Sequence, residues 1–169
     1  MTPPYRILFL CTGNSARSIM AEAILNQKGK GRFLACSAGS HPTGQPRPEA
    51  LRQLEIAGIS TAGLRSKSWS EFTAADAPPF DCVITVCDHA AREPCPYWPN
   101  APLTAHWGIP DPAAVRGSAE EQNRAFHHAF LSLEARINLL LALPLDQLAR
   151  QPAQNAIAGI GRLPADQAG

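Results

Sequence analysis

The residues with the clearest chemical potential are Cys11, Arg17 and Ser18, which form the pattern C-x5-R-S between a short apolar run and a helical pattern. Backbone N–H groups of such a loop can converge on one point, as they do at a helix N-terminus. Arg17 adds a planar fork of donors that can bind two oxygens at once. Because positive surroundings lower the pKa of a thiol below its free value of about 8.5, we expect a Cys11 thiolate that attacks a tetrahedral oxyanion. Ser18 could donate a hydrogen bond to that sulfur.

The residues between this cysteine and this arginine are expected to bind the oxyanion together with Arg17. Gly13 permits backbone dihedrals that a residue with a Cβ avoids. Asn14 tolerates left-handed dihedrals and can shape the loop through side-chain hydrogen bonds. The predicted binding residues of the loop are Thr12, Gly13, Asn14, Ser15 and Ala16.

The elements that must position this loop alternate between strands and helices. Helical periods are predicted directly after the loop, from Pro48 to Gly58, and from Phe126 to Leu141. The apolar runs expected to form strands are 6–10, 33–36, 82–86 and 103–107. This alternation predicts an α/β fold with three layers: an open, twisted sheet of about four parallel strands with helices on both faces.

Two cysteines follow predicted strands directly, namely Cys11 and Cys87. Ligands of open parallel sheets bind outside the carboxyl ends of the strands. We therefore expect both thiols in one site, within a single catalytic domain over 1–145. Residues 146–169 show little apolar periodicity and are predicted to form a partly mobile tail.

Composition excludes several classes of protein. Hydrophobic residues make up 45% and charged residues 17%, and the formal net charge is +1. This composition is typical of a globular protein, and the net charge creates no overall field that would attract the protein to nucleic acid or anionic lipid. No apolar run is long enough to span a membrane, and the start lacks the features of a signal peptide. We therefore expect a cytoplasmic protein. Five cysteines, an odd number, argue against a fixed disulfide framework in that reducing setting, and the lack of a C-x-x-C pair or of a His pair at ligand spacing disfavours a metal site.

The segment CTGNSARSIMAE at 11–22 closely resembles the signature of the low-molecular-weight protein tyrosine phosphatase superfamily. Within it, the chain is similar to the thioredoxin-coupled arsenate reductases. The resemblance continues through SAG at 37–39, VITVC at 83–87, HWG at 106–108 and DP at 111–112, and covers most of residues 5–142. It implies the low-molecular-weight phosphatase fold, which is flavodoxin-like.

The resemblance also implies roles for further residues. Asp111 matches the family's general acid, which protonates a departing oxygen. Cys87 would attack the sulfur of a Cys11–arsenic adduct, and Cys95 would then attack Cys87 and carry the disulfide to an external thiol reductant. Since a disulfide needs Cα atoms within about 7 Å, segment 87–96 must move during turnover. Thioredoxin is the first choice of reductant, and glutaredoxin or a low-molecular-weight thiol is the alternative.

Two other functions compete with the reductase. A phosphatase of this fold would hydrolyse phosphotyrosine or small aryl phosphates, and usually has aromatic residues after the Asp-Pro pair. Ala113 and Ala114 stand there instead, which favours the reductase. A non-catalytic oxyanion-binding or redox-sensing protein would keep the loop without needing Asp111. Cys36 and Cys82 lie within predicted strands and are expected in the core.

No resident cofactor is predicted, although some relatives bind potassium beside the loop. The matching residues here are Asn14, Glu22, Ser37 and Ser66. Ser68 stands where that pattern has a further acidic ligand, and losing a carboxylate weakens a cation site. We therefore do not predict a bound ion.

Overall fold

The computed structural model describes residues 3–93, 96, 98 and 100–163, and all statements below concern these residues. Strands and helices alternate along the chain. The strands are β1 (Tyr5–Leu10), β2 (Phe33–Ala38), β3 (Cys82–Thr85) and β4 (Leu103–His106). The α-helices are α1 (Arg17–Lys28), α2 (Pro48–Ile56), α3 (Asp88–Arg92), α4 (Ala119–Leu141) and α5 (Arg150–Gly161).

The four strands form one parallel sheet in the order β2-β1-β3-β4. Leu10 at the end of β1 is in register with Ala38 of β2 and with Thr85 of β3. All strands therefore end at one edge, where Cys11 and Cys87 follow β1 and β3. The predicted α/β class with about four parallel strands is confirmed.

Side chains of the central strand β1 alternate between two apolar clusters, which explains its continuous apolar run. Ile7 and Phe9 belong to the larger cluster, which contains residues of α1, α2, α4 and α5. Leu8 and Leu10 belong to the smaller cluster on the opposite face. That face is covered by a 3-10 helix, Trp69–Phe72, and by the side chains of Phe80 and Trp98. The second helical layer is thus shorter than the one over the larger cluster.

The C-terminal region differs from its prediction, because α5 (Arg150–Gly161) packs against β4 instead of forming an irregular tail. Three apolar side chains on one face of α5 are buried: Ala153, Ile157 and Ile160. The indole N–H of buried Trp107 donates to the Ile157 carbonyl at 3.0 Å. Small residues such as Ala and Gly weaken the apolar signal of this helix in sequence but allow its close approach to the sheet.

Within the described residues, no helix combines the length and the apolar character needed to cross a membrane.

Candidate active site

The oxyanion loop, residues 11–16, joins the end of β1 to the start of α1. The Cys11 N–H donates to the Ala38 carbonyl at 3.2 Å, so the loop begins tied to β2. Gly39 follows β2 and passes directly beneath the loop, where a Cβ would overlap the carbonyl oxygens of Cys11 and Thr12. The SAG sequence at 37–39 therefore supplies the close backbone approach that this loop requires.

Asn14 fixes the shape of the oxyanion loop from its buried side. Its backbone has φ 44°, the left-handed conformation that Asn tolerates better than most residues. Its Nδ2 donates to the Ser18 hydroxyl at 2.8 Å, and its Oδ1 accepts the Lys67 N–H at 2.9 Å. Asn14 thus shapes the loop through its side chain, as predicted, although the backbone partner lies 53 residues away in sequence.

Ser18 is fully buried beneath the loop. Its hydroxyl accepts the hydrogen bond from Asn14, and the hydrogen bonds among the described residues do not include one between Ser18 and the Cys11 sulfur. The predicted hydrogen bond from Ser18 to the Cys11 sulfur is therefore not seen in this part of the chain. Its role here is to brace the loop.

A cavity of 280 Å³ opens above the loop at the carboxyl edge of the sheet. Among the residues predicted to act on the oxyanion, Asn14 and Ser18 lie behind the loop, and Cys95 lies outside the described residues. The predicted residues that line the cavity are Cys11, Thr12, Gly13, Ser15, Ala16, Arg17, Cys87 and Asp111. The cavity thus brings together the sulfurs, the guanidinium and the proposed acid.

Arg17 and Asp111 are held side by side in the cavity wall. Arg17 Nη1 donates to the Ile109 carbonyl at 2.9 Å, and Nη2 lies 3.7 Å from Asp111 Oδ1. The Arg17 side chain is 14% exposed and that of Asp111 is 45% exposed. Asp111 Oδ1 also accepts the Ala113 N–H at 3.0 Å, which orients the carboxyl group at the start of a 3-10 turn. Asp111 can therefore reach both the cavity and solvent.

Cys11 and Cys87 are free, buried thiols that approach each other to 3.4 Å. Their mutual hydrogen bond, together with burial, raises the pKa of Cys11. The same hydrogen bond lowers the pKa of Cys87 to about 5, despite burial, with help from the backbone N–H groups of Thr12 and Ala90. The prediction that Cys11 itself has a lowered pKa is wrong for this reduced pair. Cys87 is the more acidic thiol of the pair because it accepts hydrogen bonds from Cys11 and from two backbone N–H groups.

The other described cysteines lie in strands, as predicted. Cys82 of β3 is fully buried, and burial raises its pKa to about 12. Cys36 of β2 is partly exposed, and burial again raises its pKa. Neither lines the cavity, so neither thiol is placed to attack a Cys11 adduct.

The residues that matched a potassium site do not fit an added cation, because an ammonium group already neutralises the carboxylate. Glu22 Oε1 accepts the Ser37 hydroxyl at 2.6 Å and lies 3.5 Å from Lys67 Nζ. The Lys67 side chain is only 7% exposed, and its Nζ also donates to the Arg65 carbonyl at 3.1 Å. A second cation there would face uncompensated repulsion in a poorly solvated region.

Residues 6–154 match the low molecular weight phosphotyrosine protein phosphatases. The chain belongs to this family. An arsenate reductase of Halalkalibacterium halodurans is 34% identical over 131 residues, covering 78% of this chain and 91% of the relative. A glutaredoxin arsenate reductase of Synechocystis is 30% identical over 125 residues, covering 69% of this chain and 92% of the relative. The solved structure of an arsenate reductase from Archaeoglobus fulgidus superposes with a TM-score of 0.63 at 27% identity, covering 81% of this chain and 99% of the other.

Two further cavity residues of this phosphatase-family site were not predicted from the sequence, Arg47 and His89. Arg47 ends the Pro-rich loop before α2, and its backbone N–H donates to the Ser15 carbonyl at 2.8 Å. Its guanidinium lies 5.7 Å from the ring centroid of Phe126. It also lies 3.5 Å from the Glu49 carboxylate. An isolated arginine in a loop carries no sequence signal, and only the fold brings Arg47 to the cavity wall.

His106 lies between the end of β4 and the segment that begins at Cys87. Its Nδ1 lies 2.7 Å from the Thr85 hydroxyl, and its Nε2 lies 2.8 Å from Asp88 Oδ1. Asp88 immediately follows Cys87, so this histidine anchors the start of α3 to the end of β4.

Proposed function

We propose that this protein is an arsenate reductase in which Cys11 forms the arsenic adduct and Cys87 resolves it. The observation that carries the proposal is the approach of the two thiols to 3.4 Å inside the oxyanion cavity. Hydrolysis of a phosphate ester needs one thiol and water, whereas reduction of arsenate needs two electrons, which a pair of thiols can supply as they form a disulfide. The arsenate reductase relatives support the same conclusion.

The first step needs an ionised Cys11, and the hydrogen bond between the Cys11 and Cys87 thiols provides a path for the Cys11 proton. When the proton of Cys11 passes to Cys87, the negative charge moves to the sulfur at the base of the oxyanion loop. Bound arsenate is held by the loop N–H groups and by Arg17. The Cys11 sulfur attacks arsenic, an arsenic–oxygen bond breaks, and the departing oxygen takes a proton from Asp111 and leaves as water.

The second step transfers two electrons to arsenic. The Cys87 sulfur attacks the Cys11 sulfur, the sulfur–arsenic bond breaks, and its electron pair stays on arsenic. The Cys87 proton passes to an oxygen of the departing group, so arsenite leaves and a Cys11–Cys87 disulfide remains. The short approach of the two thiols favours this step because little movement is needed before attack.

The later thiol relay remains part of the proposal. Cys95, which lies outside the described residues, would attack Cys87 and pass the disulfide to an external reductant. Thioredoxin is our first choice, and the Synechocystis relative, named a glutaredoxin arsenate reductase, supports glutaredoxin as the alternative. We place the reaction in the cytoplasm, where thiols are kept reduced.

Replacing the resolving thiol tests the assignment directly. Cys87→Ser should abolish multiple-turnover arsenite release and leave hydrolysis of p-nitrophenyl phosphate largely intact, because hydrolysis depends on Cys11, Arg17 and Asp111. Cys36→Ser is the matched control and should keep both activities, since Cys36 lies outside the cavity. Sustained arsenite release by Cys87→Ser with any thiol donor would refute the role of Cys87.

The second candidate function is hydrolysis of phosphotyrosine or small aryl phosphates. The loop and the paired Arg17 and Asp111 favour it, since the first step is chemically similar. Ala113, which lines the cavity after the Asp-Pro pair, offers no aromatic surface for a tyrosine ring. We therefore expect hydrolysis to accompany the reductase as a weak side activity.

A further inference from the structure

A largely buried carboxylate, Glu93, lies beside the site without a role in the steps above. It follows α3, six positions after Cys87, and its side chain is only 12% exposed. Its Oε1 accepts the Thr12 hydroxyl at 2.8 Å. Thr12 belongs to the oxyanion loop, so this contact joins the two thiol-bearing parts of the molecule across 81 positions of sequence.

Other groups also converge on this carboxylate. Burial by itself would raise the pKa of Glu93, but hydrogen bonds from Ser40 and Thr12 and the nearby His89 and His41 hold it below its ordinary value. The imidazole of His41 lies 3.8 Å from Oε2, and that of His89 lies 4.0 Å from Oε1. The carboxylate is therefore anionic at neutral pH, and its Oε1 holds the hydrogen bond from the Thr12 hydroxyl.

We propose that Glu93 is a positioning residue of the reductive step, whose carboxylate ties the reductive segment, residues 87–93, to Thr12 and so holds Cys87 within attacking distance of Cys11. This inference rests on the proposed function. The Thr12 hydroxyl that donates to Glu93 also lies 3.8 Å from the Cys87 sulfur, so the tie meets the loop beside the thiol that it positions.

The opposite end of the reductive segment is anchored differently. Asp88 pairs with His106 at 2.8 Å, but the Asp88 side chain is 73% exposed and that of His106 is 41% exposed. That pair connects the segment to β4, not to the loop that carries Cys11. Of these two anchors, Glu93 is the one that reaches the loop carrying Cys11, and it is the better shielded.

The test compares Glu93→Ala with Glu93→Gln, whose amide oxygen can still accept the Thr12 hydroxyl. One readout is the rate of arsenite release in a single turnover. The other is the equilibrium between the Cys11–Cys87 dithiol and its disulfide in glutathione buffers, which needs no arsenate. We expect Glu93→Ala to slow arsenite release about tenfold and to shift the equilibrium about tenfold towards the dithiol. This is the usual size of one lost charge-assisted hydrogen bond. Glu93→Gln should recover most of the loss.

Hydrolysis of p-nitrophenyl phosphate separates positioning from folding, because it does not use Cys87. Glu93→Ala should retain most of this hydrolysis while losing the reductive step. Equal losses of both activities, or an unchanged disulfide equilibrium, would overturn the inference. If the unmodified protein releases no arsenite at all, the proposed function fails instead, and the glutathione equilibrium still reports whether Glu93 positions Cys87.

Discussion

The oxyanion loop and the reductive segment each carry one of the paired thiols, yet they are held in place by different means. The loop lies on the sheet through backbone hydrogen bonds and through buried Asn14. The reductive segment contains one short helix and is held to its surroundings by side-chain contacts near its two ends, from Asp88 and Glu93. Binding an oxyanion needs fixed geometry, whereas thiol transfer requires a segment that can be released and repositioned.

The largest expected effect concerns the chemistry of the fixed oxyanion site, where Asp111 in the cavity wall is the proposed general acid. Asp111→Asn should slow formation of the Cys11 adduct by about 10²- to 10⁴-fold, the usual contribution of a general acid. Binding of inorganic phosphate should persist because the loop is unchanged. Rapid-quench measurement of the first turnover checks the rate, and isothermal calorimetry checks binding. An unchanged first-turnover rate would remove Asp111 from the mechanism.

The charge on the thiol pair offers a second way to test the contrast. Because the pKa of Cys87 is lowered to about 5, Cys87 is anionic above that pH, and its alkylation rate should rise through about pH 5 and then level off. In Cys11→Ala the hydrogen bond is lost, so the rise should move towards the ordinary thiol value of about 8.5.

Alkylation by iodoacetamide, with Cys87 located by peptide mass spectrometry, measures this profile. Cys36, whose pKa is raised by burial, is the internal reference and should react slowly across the same range. A Cys87 alkylation rate that rises only near the ordinary thiol pKa in the unmodified protein would contradict the lowered pKa of Cys87.

A smaller effect is expected on the stability of the loop itself. Asn14→Ala leaves the buried Ser18 hydroxyl and Lys67 N–H without their partner and places Ala at a positive φ. The free energy of unfolding should fall by about 2–4 kcal/mol. Urea unfolding measures the change, and Asn138→Ala, on an exposed position of α4, should be nearly neutral. Equal stability of the two variants would show that Asn14 does not brace the loop.

The contrast between the regions also explains what the sequence could predict. Local patterns were sufficient for β1, whose unbroken apolar run is buried on both faces, and for the loop between Cys11 and Arg17. They failed for α5, where Ala153, Ile157 and Ile160 bury a face whose small neighbours give a weak apolar period.

Contacts between distant segments were beyond local patterns. Lys67 pairs with Glu22, and Glu93 pairs with Thr12. Each pair joins residues far apart in sequence, and no local pattern around one residue indicates its partner. The direction of the Cys11 pKa was also wrong, because it depends on the hydrogen bond with Cys87 and not on the loop alone.

One measurement tests the central claim most directly: a single turnover of the Cys95→Ser variant with one equivalent of arsenate and no added thiol. The account predicts one arsenite released per protein and one disulfide, found by peptide mass spectrometry between Cys11 and Cys87. Arsenite without that disulfide, or a disulfide that joins Cys11 to Cys36 or Cys82, would contradict the assignment of Cys87 as the resolving thiol.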